Sequence, residues 1–181
     1  DPPDLIARRT SRGDRRVIGY LARACPEKGL DQVIQATARL VERGMNVELV
    51  AAGATIAAEE DYLSSCHALA QEVGIADRFF WRGQIDRSEK INLLKEIDVF
   101  AMPTPVPEAK GIPVIEAMAA GVPVVASASG AFPELLGIHE TAPAGDVHIP
   151  SDITDLARCL EDMLWNETRA VDCGMAGHAR V

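Results

Sequence analysis

Short apolar runs alternate with longer amphipathic segments along most of the chain. The runs are bounded by charged residues or by Gly and Pro, as expected of strands that end where the chain reaches solvent. Five of these runs predict strands, at Val17–Leu21, Val47–Ala52, Phe79–Trp81, Val99–Met102 and Val124–Ser127. The segments between and after them predict helices, at Leu30 to Val41, Asp61 to Val73, Ser88 to Lys95, Val114 to Ala120 and Asp152 to Trp165.

Three further segments give weaker signals. The pattern predicts one helical turn at Phe132–Leu136, an irregular stretch with one weak strand over residues 138–150, and a weakly amphipathic tail over residues 166–181. Ser88 stands where the N-cap of its helix is expected, because a serine hydroxyl can accept from a free backbone N–H of the first turn.

This alternation of strands and helices predicts the fold class. The strand segments are apolar throughout, which is typical of a parallel sheet covered on both faces. We therefore expect an α/β domain with an open, doubly wound parallel sheet of the Rossmann-like kind. Its ligand crevice should lie outside the carboxyl ends of the strands. The loops expected at that edge are residues 22–29, the Gly53 turn and residues 82–85, 103–111 and 127–130.

The length of the chain indicates the number of domains, and its net charge argues against one class of partner. The 181 residues suit one domain with a full core. The 27 acidic residues outnumber the 18 basic ones, for a net charge of −9, which argues against a nucleic-acid partner. Residues 1–16, which begin without Met, are interpreted as a linker from a missing N-terminal domain. Their basic cluster is interpreted as solvated: Arg8, Arg9, Arg12, Arg15 and Arg16.

Cysteine and histidine spacing points to no metal or disulfide framework. The four cysteines form no CxxC pair and predict reduced thiols in a cytoplasmic protein, and the four histidines show no metal-ligand spacing. Cys25 lies beside two cations that should lower its thiol pKa, but nothing pairs with it as a catalytic base would. The least charged stretch, residues 111–132, is interrupted by Pro113 and Glu116, so no transmembrane segment is predicted.

Two carboxylates stand out in the apolar stretch from Asp98 to Gly130. Glu108 falls in a loop, and Glu116 follows after seven intervening residues. The helix around Glu116 is otherwise apolar and predicted to be buried, with Pro113 as its first residue. A buried carboxylate needs a hydrogen-bond partner, and ligand hydroxyls would supply one. Phosphate could meet the amides of residues 110–112 at the start of the helix.

The other loops carry weaker signals. Arg23 and Lys28 suit a diphosphate, one as a planar fork and the other as a point charge, although two surface cations would look the same. Gly83 could let the backbone approach a flat ring, or simply form a turn. The small polar segment Ser127–Gly130 could hold phosphate or be a tight turn.

Taken together, three segments resemble the donor-binding, C-terminal domain of GT-B glycosyltransferases, of the retaining family called glycosyl transferases group 1, or family four. RACPEKG, from Arg23, resembles the family's Arg–Lys loop, and FFWRGQI, from Phe79, resembles its base-binding turn. PEAKGIPVIEAMAAGVPVVAS, from Pro107, resembles its motif of two Glu residues separated by seven. The resemblance extends from Val17 to about Trp165, within a donor-binding domain expected over residues 17–181.

The resemblance implies roles for these residues. Arg23 and Lys28 would hold the diphosphate and stabilise the leaving group, Glu108 would contact the donor sugar, and Glu116 would bind the ribose hydroxyls. The remaining donor contacts would be Gly83, Gln84 and Ile85 around the base, and Lys110, Gly111 and Ile112 near phosphate or sugar.

The resemblance also implies the reaction and its partners. The sugar of a nucleotide-diphosphate donor would be transferred, with retention, to a hydroxyl of an acceptor sugar, lipid or other compound. The family needs no metal held by the protein and no cofactor besides the donor. The acceptor would bind the missing N-terminal domain, so the isolated chain should be inactive. That domain could also hold the protein at the inner membrane.

Some residues depart from the family pattern. Ala22 replaces a frequent Gly, and Ala109-Lys110 replaces a small-then-aromatic pair. Pro113 removes an amide from the helix start, and the segment after Glu134 lacks the usual Gly-rich character. Three alternatives stay open: a non-catalytic nucleotide-sugar-binding module, part of a GT-B-fold nucleotide-sugar epimerase, and a doubly wound domain with an unrelated ligand.

Overall fold

A six-stranded parallel sheet forms the centre of the computed structural model, which describes residues 13–181. The strand order is β3-β2-β1-β4-β5-β6, and every neighbouring pair is parallel. The strands are β1 (Arg16–Leu21), β2 (Val47–Ala52), β3 (Phe79–Trp81), β4 (Val99–Met102), β5 (Val124–Ser127) and β6 (Gly145–His148).

Helices connect the strands and cover both faces of the sheet. They are α1 (Leu30–Glu42), α2 (Glu60–Glu72), α3 (Arg87–Glu96), α4 (Ile112–Ala119), α5 (Phe132–Leu135), α6 (Ile153–Trp165) and α7 (Glu167–Arg180). Short 3-10 turns, Pro26–Lys28 and Ala57–Glu59, precede α1 and α2. The predicted doubly wound α/β class is confirmed.

Each face of the sheet carries its own hydrophobic core. In β1, Ile18 and Tyr20 point into one core, and Val17 and Leu21 point into the other. Because successive side chains of a strand point to opposite faces, a strand buried on both sides must be apolar at every position. This explains why the strand segments show no alternation.

The start of α3 differs from the prediction. The Asp86 carboxylate accepts from the backbone N–H of Glu89, and the Glu89 carboxylate accepts from the N–H of Asp86, both at 2.8 Å. Asp86 is therefore the N-cap, and the assignment to Ser88 was wrong. A reciprocal capping box satisfies two backbone donors, whereas Ser88 lies inside the first turn.

Other boundaries also shift. Helix α4 begins at Ile112, so Pro113 is its second residue, not its first. The predicted weak strand is β6, and the tail forms the regular helix α7.

Two arginines of the predicted linker belong to the folded domain. Arg15 pairs with Glu48 at 3.1 Å, and Arg16 opens β1 with its guanidinium 5.9 Å from the centre of the Trp165 ring. Arg15 and Arg16 are therefore not part of a solvated linker, because each contacts a residue of the folded domain. Arg8, Arg9 and Arg12 lie outside the described residues.

His148 makes stability depend on pH. Burial lowers the pKa of this fully buried imidazole, although a hydrogen bond to the Ile149 carbonyl and the charge of Asp155 oppose the shift. The unfolded chain therefore binds more protons, so this contribution to stability is complete above pH about 6.5 and is lost as the pH falls through the folded pKa. We expect the urea midpoint to decrease from pH 7.5 to 5.

The control for this prediction is a histidine on the surface. His148→Gln should flatten the pH dependence of the urea midpoint, whereas His139→Gln, at an exposed position, should leave it unchanged. An unchanged slope in His148→Gln would assign the dependence to other groups.

Candidate functional site

The sheet has its switch point between β1 and β4, where the strand order changes direction. The loops that leave these two strands, residues 22–29 and 103–111, flank the crevice that such a switch opens. Gly29, with a φ of 72°, packs against the opposite loop, and a Cβ there would lie 2.8 Å from the Pro103 carbonyl oxygen. The two loops therefore approach as closely as a glycine allows.

The crevice brings together two of the predicted site residues. The Lys28 ammonium donates to the Glu108 carboxylate, and each side chain is 22% exposed. This hydrogen bond holds the pKa of Glu108 below its usual range, so the carboxylate stays ionised. The switch point thus presents a cation and an anion side by side, still reachable from solvent.

The loop after β5 packs against the backbone of Glu108. The Ala131 N–H donates to the Glu108 carbonyl at 2.9 Å, and a Cβ on Gly130 would lie 2.3 Å from the same oxygen. The Ser127 hydroxyl donates to the Thr104 carbonyl at 2.7 Å. In this structure the small polar segment therefore acts as a tight turn that fixes the Glu108 loop.

Arg23 lies in the loop after β1, five residues before Lys28. Its guanidinium donates to the Glu59 carboxylate at 2.6 Å; the Arg23 side chain is 52% exposed, and that of Glu59 only 11%. Sequence reasoning missed Glu59, whose only signal was its position shortly after the Gly53 turn. The contact orients Arg23 and leaves other guanidinium donors on an exposed face.

The expectation that two nearby cations lower the pKa of the Cys25 thiol was wrong. Its side chain is buried, and burial raises the pKa of the thiol, with a further increase from its hydrogen bond with Glu27. Arg23 opposes this shift but does not reverse it. Loss of solvation outweighs the nearby cation, so Cys25 is a packed neutral thiol.

Glu116 is less buried than the sequence indicated. The Lys90 ammonium, on α3, donates to Glu116 Oε1 at 2.7 Å, and the two side chains are 30% and 32% exposed. Helix α4 buries Val114 and Met118 instead, so its apolar composition does not mean burial on all sides. The partner that Glu116 required is, in this structure, a lysine that sequence reasoning missed.

The predicted base-binding turn lies at the β2–β3 end of the same edge. The Gly83 carbonyl accepts from the Gly53 N–H at 2.9 Å, and within residues 13–181 no atom beyond the adjacent residues lies within 4 Å of the position a Gly83 Cβ would take. Gln84 is exposed, and Ile85 packs against the core that contains Val17 and Leu21. The turn is therefore anchored on one side and open on the other.

The start of α4 lies on the other side of the crevice. The Lys110 N–H points to the Glu108 carboxylate at 3.5 Å, and Ile112 is 57% exposed. Gly111 has a φ of 59° and is backed by Phe132 and Leu135. The Lys110 amide therefore lies next to the Glu108 carboxylate.

The described residues contain neither a cluster suited to a metal ion nor a membrane-spanning helix. Within residues 13–181, no group of three or more His, Cys, Asp and Glu side chains is placed to hold a metal ion. In the same part of the chain, no helix is long and apolar enough to cross a membrane.

Curated relatives resemble nearly the whole chain. The GDP-mannose-dependent alpha-(1-6)-phosphatidylinositol monomannoside mannosyltransferase of Mycolicibacterium smegmatis is 33% identical over 184 residues, covering 97% of this chain and 46% of the relative. The D-inositol 3-phosphate glycosyltransferase of the same organism is 32% identical over 168 residues, covering 92% and 36%. The chain thus spans less than half the length of these relatives.

Solved structures share the fold. Anabaena HepE in complex with UDP and glucose superposes with a TM-score of 0.84 at 25% identity, over 99% of this chain and 47% of that chain. The C-terminal domain of LpcC, a glycosyl transferase group 1 family protein of Francisella tularensis, gives 0.82 at 19% identity, over 100% and 91%.

Fold and site define a doubly wound α/β domain with a charged crevice at its switch point, of the kind that forms the C-terminal half of a GT-B fold. The model of the family Glycosyl transferases group 1 matches residues 3–180, and the chain belongs to this family. The expectation drawn from the three sequence segments is therefore confirmed at the level of family and fold.

Proposed function

We propose that this chain is the donor-binding half of a retaining glycosyltransferase and takes a nucleotide-diphosphate sugar at the switch point. The observation that carries the proposal is the contact between Lys28 and Glu108 across the two crevice loops. A donor carries a diphosphate and a sugar joined at one carbon. The cation offers a partner to the diphosphate, and the carboxylate beside it offers a partner to the sugar.

The charged groups suit the leaving-group chemistry. When the bond between the sugar's anomeric carbon and the diphosphate breaks, negative charge accumulates on the diphosphate. Lys28 and the exposed face of Arg23 stabilise that charge, and fixed cations act most strongly where water is partly excluded. Because these side chains supply the positive charge, the reaction requires no metal held by the protein and no cofactor besides the donor.

The donor exchanges partners with the protein. In the unliganded chain Lys28 holds Glu108; in the complex the diphosphate takes Lys28, and hydroxyls of the sugar occupy Glu108. Glu116 binds the ribose, and the open side of Gly83–Ile85 faces the base. The acceptor hydroxyl, from a sugar, lipid or similar compound, comes from a domain that precedes this one in the chain.

The relatives favour a guanine nucleotide. A relative with 33% identity is described as GDP-mannose-dependent, whereas the neighbour at 25% identity was solved with UDP and glucose. We therefore take GDP-mannose as the first donor to test and UDP-glucose as the second.

Thermal unfolding with a nucleotide panel tests the proposal. At 100 times its dissociation constant, a nucleotide stabilises the chain by about 2.7 kcal/mol, which corresponds to about 5–10 °C for a chain of this size. We expect the largest shift with GDP, a smaller one with UDP and the smallest with ADP. No shift with any of the three at millimolar concentration would contradict the proposed function.

A further inference from the structure

A groove separates α3 from α4, and Lys90 and Glu116 face each other across it. It encloses a cavity of about 410 Å³, lined by Ile91 and Leu94 from α3 and by Ala119 from α4. The walls are mainly apolar, and the charged residues that line them are Glu116 and the three cations Arg87, Lys90 and Lys95. The ion pair between Lys90 and Glu116 connects the two helices at this point.

The position of α3 links this pair to the turn at residues 83–85. Helix α3 begins directly after that turn, and its first turn is fixed by the capping box of Asp86 and Glu89. Lys90 lies one turn further on, with its N–H bonded to the Asp86 carbonyl at 2.9 Å. The ammonium that contacts Glu116 is thus carried by a rigid segment.

The Glu116 carboxylate has capacity left for a ligand. A carboxylate offers two oxygens and about four lone-pair positions. Lys90 takes Oε1, and the side chain is 32% exposed. A partly exposed glutamate without a partner samples several rotamers. Because the contact with Lys90 already fixes the Glu116 carboxylate, less conformational entropy is lost when hydroxyls bind that carboxylate.

We infer that Lys90 is a positioning residue for ribose recognition: it holds the Glu116 carboxylate in the orientation that receives the ribose hydroxyls. The inference rests on the proposed function and extends it to a residue outside the three segments that resemble the family. Lys90 acts through Glu116 and does not itself touch the ribose.

The test compares nucleotides that differ only in the ribose. Isothermal titration of the chain with GDP and with 2′,3′-dideoxy-GDP gives a ratio of dissociation constants. Hydrogen bonds to a charged group predict a ratio of about 10 to 100 for the unaltered chain and a ratio near 1 for Glu116→Gln. Lys90→Met should lower the ratio about threefold or more by weakening GDP and leaving the dideoxy nucleotide unchanged.

Two further variants separate positioning from a general structural role. Lys90→Arg keeps a donor to Glu116 and should restore most of the ratio. Arg158→Met also removes a cation, but from α6 on the opposite face of the sheet, and should leave the ratio unchanged. Because Glu116 mediates the effect, adding Lys90→Met to Glu116→Gln should produce no further loss.

Each contrary outcome has a distinct meaning. An unchanged ratio in Lys90→Met, or an equal loss for both nucleotides, overturns the inference. A ratio that rises shows that Lys90 competes with ribose for Glu116, which also overturns it. If the unaltered chain binds both nucleotides equally, the ribose role of Glu116 fails while donor binding stands. If it binds neither, the proposed function itself fails.

Discussion

Gly53→Ala should destabilise the chain by at least about 3 kcal/mol, because the loop after β2 passes directly against the loop after β1. A Cβ at this position would lie 1.7 Å from the Ala22 carbonyl oxygen and 3.2 Å from the Arg23 backbone nitrogen. Both neighbours are backbone atoms, which move only if the strands move, so the overlap cannot be relieved by a rotamer change. Urea unfolding measures the loss.

A second glycine provides the control. Gly44 has a φ of 84°, but in the part of the chain that the structure describes no atom beyond the adjacent residues lies within 4 Å of the position its Cβ would take. Gly44→Ala should therefore cost only the strain of a left-handed residue, about 1–2 kcal/mol. Equal losses in the two variants would show that backbone conformation, not the close approach of the two loops, requires Gly53.

Lys28→Met should weaken GDP binding about 10- to 100-fold, because the variant loses a charged hydrogen bond to the diphosphate. Guanosine has no phosphate, so its dissociation constant should not change. Titration calorimetry of the chain and the variant with both ligands gives the comparison. An equal loss for GDP and guanosine would remove Lys28 from the phosphate site.

Glu108→Gln should act in the opposite direction on GDP. The carboxylate holds Lys28 in the unliganded chain, so removing its charge frees the cation and removes an anion from the path of the diphosphate. We expect GDP to bind about threefold more tightly, a modest gain because the pair is partly exposed. GDP-mannose should gain less than GDP or bind more weakly, because its sugar loses the carboxylate; similar gains for both ligands would contradict the sugar contact.

Most strands could be predicted from their composition alone. The bounds of β2, β3, β4 and β5 match the predicted ones, because each is a mainly apolar run that a charge or a turn residue ends, with Glu48 in β2 as the one charged residue among them. The sequence of β6, GDVH, is too polar for such a signal. It pairs because Gly145 lets its backbone approach β5, with a Cβ there only 1.9 Å from the Val124 carbonyl oxygen.

The site could be predicted only in part. Topology alone places the loops of Lys28 and Glu108 together, since parallel strands end at one edge. The partners Glu59 and Lys90 could not be found, because each lies 26 or more residues from the residue it pairs with, on a segment without a recognisable motif. Chain periodicity describes neighbours within an element, whereas these ion pairs depend on how separate elements dock.

The switch point also has a consequence for folding dynamics. The register of β1 with β4 comprises two residue pairs, against six for β1 with β2, so few backbone pairs join the two halves of the sheet at its centre. Lys28 and Glu108 lie on opposite sides of this junction, 80 residues apart in the chain. Partial opening along it would separate the two halves before either unfolds. A ligand that bridges them should therefore slow amide hydrogen exchange most in β1 and β4, and least in the edge strands β3 and β6.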